Sequence, residues 1–184
     1  MSETIKTNRL LLRPLRQSDL VSLAATLNNY RIVRNTSRIP WPYRLDDARE
    51  HFGRVSHAVP GTLQLTIVEK ARPYTLLGGI GYEAGEAGHS AELGYWLAEL
   101  VWARGFGYEA ARAVTAHGFE VAGHDRLMAS YRHGNEASRR ILDRLGFRIV
   151  GHNMMYSRGA GHETPVARLE LTRREWFLTK GRGA

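Results

Sequence analysis

Residues 102–113 read WARGFGYEAARA, and two glycines one residue apart, Gly105 and Gly107, separate an apolar run, AELGYWLAELV, from a helix-forming run. Strand, glycine turn and helix together make a layout that can bind phosphate. Glycine lets a ligand approach the backbone, while the unpaired N–H groups of a helix's first turn and the helix dipole favour an anion. The alternative is a turn that needs glycine only for its own backbone angles. Gly105-x-Gly107-x-x-Ala110 also fits the dinucleotide fingerprint G-x-G-x-x-G/A. That fingerprint wants an acidic residue about 20 positions on, at the end of the next strand, to hold a ribose. Asp125 has roughly this spacing but precedes its strand, and 74 residues follow Ala110, so a dinucleotide domain is disfavoured. No G-x-x-x-x-G-K-[ST] or G-x-S-x-G occurs, which removes the P-loop and the nucleophile elbow at the motif level.

A second group lies one strand downstream in NEASRRILDRLGF, where Asn135 can cap a helix that Gly146 ends. Ser138 shares a stripe with Ile141, Leu142 and Leu145, so its hydroxyl is expected to face the sheet. A serine in that position either donates to a ligand or bonds back to a helical carbonyl. The eight histidines form no H-E-x-x-H and no close pair at ligand spacing, so no metal site is expected. Cysteine is absent, which excludes a thiolate nucleophile and any disulfide.

The elements that must hold these groups follow from hydrophobic period. Strands are expected at 9–15, 63–69, 76–82, 91–98, 126–131, 147–150 and 166–171. Helices are expected at 19–29 with Ser18 as N-cap, from 46 to about Ala58, at 107–121 and at 136–145. A proline-bracketed loop, RIPWPYRL, carries Trp41 and Tyr43, and ARPY reads as a turn before the strand at 76. Strands first, then strand, helix, strand, helix, strand, predict an α+β or mixed α/β sheet in one domain over residues 1–184.

Charge is uneven: the chain carries +8 in total, with +5 over residues 1–60, −4 over 61–125 and +7 over 126–184. A basic balance suits an anionic partner. The arginines are scattered and not interleaved with aromatics, so nucleic acid is not the expected partner. No apolar run reaches the roughly 20 residues a membrane helix needs, and the first 15 residues contain no signal-peptide core; a cytoplasmic protein without a membrane partner is expected.

Taken together, WARGFGYEAARA, NEASRRILDRLGF, NRLLLRPLRQSDL, AELGYWLA and PWPYRLDDAR resemble the GNAT superfamily of N-acetyltransferases, and specifically its RimJ/RimL branch. The resemblance implies a mostly antiparallel sheet whose fourth and fifth strands, here 91–98 and 126–131, splay to admit the pantetheine arm of acetyl-CoA. It implies a pyrophosphate loop of Arg104, Gly105, Phe106, Gly107 and Tyr108, backbone contacts from Leu97, and a contact from Asn135. The superfamily's Gln or Arg at the head of the loop is Trp102 here, a replacement common in this branch. The tyrosine that many members place seven residues after the Asn is Leu142 here, so Ser138 is the implied proton donor to the leaving thiolate. An amine must lose a proton to attack a thioester, and Glu92, among apolar neighbours, is the expected base, with a water chain as the alternative. Trp41, Tyr43 and Tyr95 are expected to wall the acceptor groove. The acidic Glu83, Glu86 and Glu92 would suit a cationic acceptor if they line it. The implied reaction is direct acetyl transfer to a protein N-terminal amine or a small amine, with a homodimer compatible. A non-catalytic acyl-CoA-binding module of the same fold and a nucleic-acid-binding protein are the competing readings.

Overall fold

The computed structural model describes residues 3–57, 59–85 and 89–180. Its strands are β1 (Ile5–Lys6), β2 (Leu10–Arg13), β3 (Leu63–Glu69), β4 (Arg72–Ala84), β5 (Ser90–Leu97), β6 (Arg126–Arg132), β7 (Arg148–Ser157) and β8 (His162–Thr172). Its helices are α1 (Leu20–Leu27), α2 (Tyr30–Val33), α3 (Leu45–Val55), α4 (Phe106–Glu120), α5 (Glu136–Leu145) and α6 (Arg173–Lys180). The strands form one sheet in the order β1-β2-β3-β4-β5-β6-β8-β7, antiparallel throughout except for β5 against β6. This is the mixed α/β sheet expected, and the fourth and fifth strands named from the resemblance are β5 and β6.

Two apolar clusters occupy the two faces of the sheet. One joins Phe106, Val114 and Phe119 of α4 and Leu142 and Leu145 of α5 to Leu93, Leu127 and Leu169 of the strands. The other joins Leu20, Leu23 and Leu27 of α1 to Ala48 of α3, Tyr43 and Leu76, with Trp96 packed against it. Phe106, Phe119, Leu127 and Leu169 are almost entirely removed from water, worth about 1.5–3 kcal/mol each. Alternation along β5 divides the faces: Leu93, Tyr95 and Leu97 pack on the α4 and α5 side, and Trp96 packs on the α1 and α3 side.

Several local expectations are corrected. Ser18 is not the cap of α1. A single 3-10 turn, Gln17–Asp19, leads into the helix, and the Asp19 carboxylate accepts the Arg16 N–H at 2.8 Å and two N–H groups of Arg13 at 2.7 and 2.9 Å. α3 starts one residue early and stops at Val55, with Ser56 bonded to the Phe52 carbonyl; Ala58 lies outside the described residues. The first three residues of β4, Arg72, Pro73 and Tyr74, come from the stretch read as a turn, because Arg72 already pairs with Glu69. β7 and β8 extend well past the expected 147–150 and 166–171, and β1, α2 and α6 were not foreseen.

Candidate active site

β5 and β6 pair only from Ser90 opposite Arg126 to Leu93 opposite Ala129. Beyond that point β5 runs on to Leu97 and β6 to Arg132 without pairing to each other, although both keep their outer neighbours, β4 and β8. A cleft of about 1540 Å³ passes through the parting. On one side it is lined by Trp102, Gly105 and Gly107 of the β5–α4 turn and by Asn135, Ser138 and Ile141 around α5. On the other it meets the α2–α3 loop, α3 and the end of β7.

The β5–α4 turn is built from backbone. Trp102 donates its indole N–H to the Leu97 carbonyl at 2.9 Å, which ties the turn to the end of β5. Ala103 (φ 59°) and Gly105 (φ 79°) both take the left-handed conformation, and Gly105 is the N-cap of α4. Only at Gly105 does the residue type match that need without cost. The amides of α4's first turn follow directly, where no intrahelical acceptor exists for them. Gly107 also meets a packing need. A Cβ there would stand 2.9 Å from Ile141 Cδ1 and 3.1 Å from Leu97 Cδ1, so its glycine lets α4 approach α5 and β5.

Positive charge surrounds this turn. The guanidinium of Arg9 lies 4.4 Å from the centre of the Phe106 ring and that of Arg104 lies 5.1 Å from it, and Arg9 Nη1 donates to the Arg104 carbonyl at 3.0 Å. Arg144 stacks on Tyr108 at 3.9 Å. The one acid in the first turn, Glu109, is answered by Thr7 Oγ1, the Arg9 amide and Arg9 Nε at 2.6–2.7 Å. Burial pushes its carboxyl up, but these bonds and the Arg9 charge hold it below the ordinary carboxylate value.

Across the cleft, Asn135 caps α5 by accepting the Ser138 N–H at 3.2 Å. Ser138 Oγ is 2.9 Å from Tyr95 Oη, and either group can be the donor. Burial pushes the Tyr95 phenol up to about 12 while the Ser138 bond acts the other way, so it remains protonated near neutral pH. Tyr95 was expected on the acceptor wall. Its place in the alternation of β5 puts it on the opposite face, against α5. Leu142 is fully buried.

On the other face Glu92 accepts from Ser130 Oγ at 3.3 Å and stands opposite Glu83 of β4. Its side chain is exposed, so the apolar surroundings expected around it are absent. Glu83 is engaged by Arg38 and by Gln64 Nε2 at 3.2 Å. The Glu83 bond raises the Arg38 pKa against the opposing effect of burial, with the charges of Glu83 and Glu92 adding to it.

Residues 9–148 match the family model for an acetyltransferase (GNAT) domain. The chain belongs to the GNAT acetyltransferase family. An uncharacterized N-acetyltransferase, YoaA, of Bacillus subtilis (strain 168) is 27% identical over 174 residues, covering 90% of this chain and 96% of its own length. Among solved structures, the ribosomal-protein-S5-alanine acetyltransferase of Vibrio fischeri superposes with a TM-score of 0.79 at 18% identity, covering 95% of this chain and 98% of that one. The spermidine N-acetyltransferase of Vibrio cholerae, solved with CoA and spermine, superposes at 0.77 and 18% identity over 92% and 98%. Both share the fold of this chain.

In this GNAT chain the remaining sequence-derived residues separate. Leu97, Arg104, Gly105, Phe106, Gly107, Tyr108, Asn135 and Ser138 come together around the β5–α4 turn and the start of α5. Trp41 does not line the cleft; its ring meets Tyr30 edge-on at 5.6 Å. Tyr43 borders the cleft but is buried beneath α1 and α3, and burial, with the charge of Asp47, pushes its phenol up to about 12. Glu86 lies outside the described residues. Sequence reading missed His51 of α3, which lines the α3 side of the cleft and whose Nδ1 accepts from Arg54 Nη2 at 3.1 Å. Burial and the Arg54 charge lower its pKa, so it is neutral with its proton on Nε2. Among the described residues no group of three or more His, Cys, Asp or Glu is placed to hold a metal, and no helix is long and apolar enough to cross a membrane.

Proposed function

We propose that this chain is a cytoplasmic, single-domain N-acetyltransferase that takes acetyl-CoA as donor and a primary amine as acceptor. The observation that carries this reading is the parting of β5 and β6, with a glycine turn and helix N-terminus on one side and Glu92 on the other. The backbone edge at 94–97, which does not pair with β6, suits the amides of a pantetheine arm, and the first-turn amides of α4, with Arg9 and Arg104 beside them, suit a pyrophosphate. The donor supplies an acetyl group already activated as a thioester. The residues of the chain then perform two tasks.

Glu92 accepts a proton from the acceptor ammonium, directly or through water, and so frees the nitrogen lone pair. As the new N–C bond forms and the C–S bond breaks, Ser138 delivers a proton to the departing sulfur and is resupplied by Tyr95 Oη. Starting from the ammonium, two protons leave nitrogen through Glu92 and water, one before attack and one as the amide forms, while one reaches sulfur from Ser138. The reaction releases one proton to solvent overall, and the Ser138–Tyr95 pair recovers its proton from solvent. No covalent enzyme intermediate is needed, and no cysteine exists to form one. Thiol release from acetyl-CoA in the presence of an amine panel that includes N-terminal peptides tests the reading. Tight acetyl-CoA binding without thiol release from any amine would instead mark a binding module.

A further inference from the structure

The acceptor half of the cleft contains a corner rich in arginine. Arg132, at the end of β6, is 5% exposed and donates to four acceptors: Met155 O at 3.2 Å, Thr36 O at 3.0 Å, Ser37 Oγ at 3.2 Å and Tyr156 O at 3.5 Å. Its Nε is buried with no partner. None of its partners is a carboxylate, so a full positive charge is held away from water and balanced by carbonyl and hydroxyl dipoles. Arg158 is drawn to the same corner by its backbone, whose N–H donates to Ser37 O at 2.9 Å. Arg34, at the end of α2, lines both the cleft and the smaller pocket that adjoins it at Arg132. Neither Arg34 nor Arg158 makes an ion pair among the described residues, although nearby Arg31 and Arg38 pair with Glu99 and Glu83.

Two of the acids of this half are already engaged. Glu83 is held by Arg38 and Gln64, and Asp47 accepts the Arg44 N–H at 2.7 Å as the cap of α3. Glu50 lines the cleft without a described partner, and Glu92 is assigned to the amine. A cationic acceptor, suggested by the acidic middle of the sequence, would therefore meet three guanidinium groups at this corner.

We propose that the acceptor is a primary amine that also carries a carboxylate, with the amine directed to Glu92 and the carboxylate to Arg34, Arg158 and the field of Arg132. This inference rests on the acetyl-transfer reading. The carboxylate can belong to a free amino acid or to an acidic side chain next to a peptide's amino terminus. Two matched pairs distinguish these sources: alanine against alaninamide, and a dipeptide amide with glutamate second against one with glutamine second. Spermidine serves as a cationic comparison. Each compound is assayed for thiol release from acetyl-CoA, and for binding to the CoA-saturated protein by calorimetry.

In at least one pair the carboxylate member should have a kcat/KM about 10–100-fold higher, the range expected for charge-assisted hydrogen bonds. The double variant Arg34→Gln/Arg158→Gln, altered at two exposed side chains, should bring that ratio close to unity. Arg173→Gln/Arg174→Gln, an equal charge change on α6 away from the cleft, should leave it in place. Equal rates within both pairs, a preference for spermidine, or a preference that survives the double variant would overturn the proposal while acetyl transfer stands. Selective binding of the carboxylate member without thiol release from any amine would overturn acetyl transfer and leave the recognition intact. Neither binding nor release with the carboxylate members would overturn this inference.

Discussion

Tyr95 Oη and Ser138 Oγ lie 2.9 Å apart, one carried by β5 and the other by the first turn of α5, so a single hydrogen bond joins the sheet to the helix. A phenol held near 12 stays neutral at working pH and can donate inward, which leaves the serine proton free to point into the cleft.

Ser138→Ala should lower turnover by about 10²-fold, within the range for a lost acid catalyst, with little change in acetyl-CoA affinity. Tyr95→Phe should cost less, roughly tenfold, because the serine keeps its own proton. The double variant should be no slower than Ser138→Ala, since the two act in series. Both losses should shrink with an acyl donor whose thiol has a lower pKa. Equal losses with the two donors would assign the pair to packing.

The glycine turn separates two costs. Gly105→Ala forces an alanine to φ 79°, about 1–2 kcal/mol. Gly107→Val pushes branched methyls toward Ile141 and Leu97, about 1–3 kcal/mol of overpacking. Each should weaken acetyl-CoA binding as the first turn of α4 shifts, and denaturant titration should show the stability loss beside the calorimetric one. A Gly107→Val protein of native stability and native affinity would contradict the packing seen here.

Glu92→Gln should reduce turnover by about 10²–10⁴-fold near neutral pH and leave acetyl-CoA affinity intact, because the side chain faces away from the α4 turn. The deficit should narrow as pH rises and the acceptor loses its proton unaided. A variant with normal rates across the pH range would give the task to water.

The buried Arg13–Asp19 pair makes a stability prediction. Burial pushes the Asp19 carboxyl up, but its bonds to Arg13 and the Arg16 N–H, with the charges of both arginines, leave it below the ordinary 3.8. A depressed folded-state pKa stabilises above the unfolded value and is lost as pH falls through the folded one. Asp19→Asn should cost about 3–5 kcal/mol at neutral pH by stranding a buried guanidinium. The gap between variant and parent should close below about pH 4. Urea titrations at neutral and acid pH check both statements; a gap that persists undiminished in acid would exclude the pair as its source.

Legibility followed the range of the interactions involved. β3, β5, β6, α4 and α5 stood close to their expected places because period, Gly105, Asn135 and Gly146 act within a few residues. β7 was cut short because most of its residues are exposed, so it carries no apolar alternation to read. The β5–α4 turn was legible since its backbone conformation is written in glycine spacing. Trp41 was misplaced because its direction is set by Tyr30, a contact outside its own loop. Tyr95 was open to correction from sequence: it shares a phase with Leu93 and Leu97 rather than with Glu92 and Trp96. The corner at Arg132 depends on residues near 36 and 155 meeting in space, which no local pattern encodes.

The ladder between β5 and β6 stops after Leu93 and Ala129, so apart from the Leu97 carbonyl, which Trp102 holds, the β6-facing amides and carbonyls of 94–97 depend on whatever lies between the strands. A coenzyme arm seated there, as proposed, acts as a borrowed strand, and ligand occupancy becomes a term in the folding equilibrium. A donor at a hundred times its dissociation constant would add about 2.7 kcal/mol. Amide exchange at 94–97 would slow in step with saturation, and the melting temperature would climb with donor concentration. The fold's own durability would thus gauge how much acyl donor surrounds it.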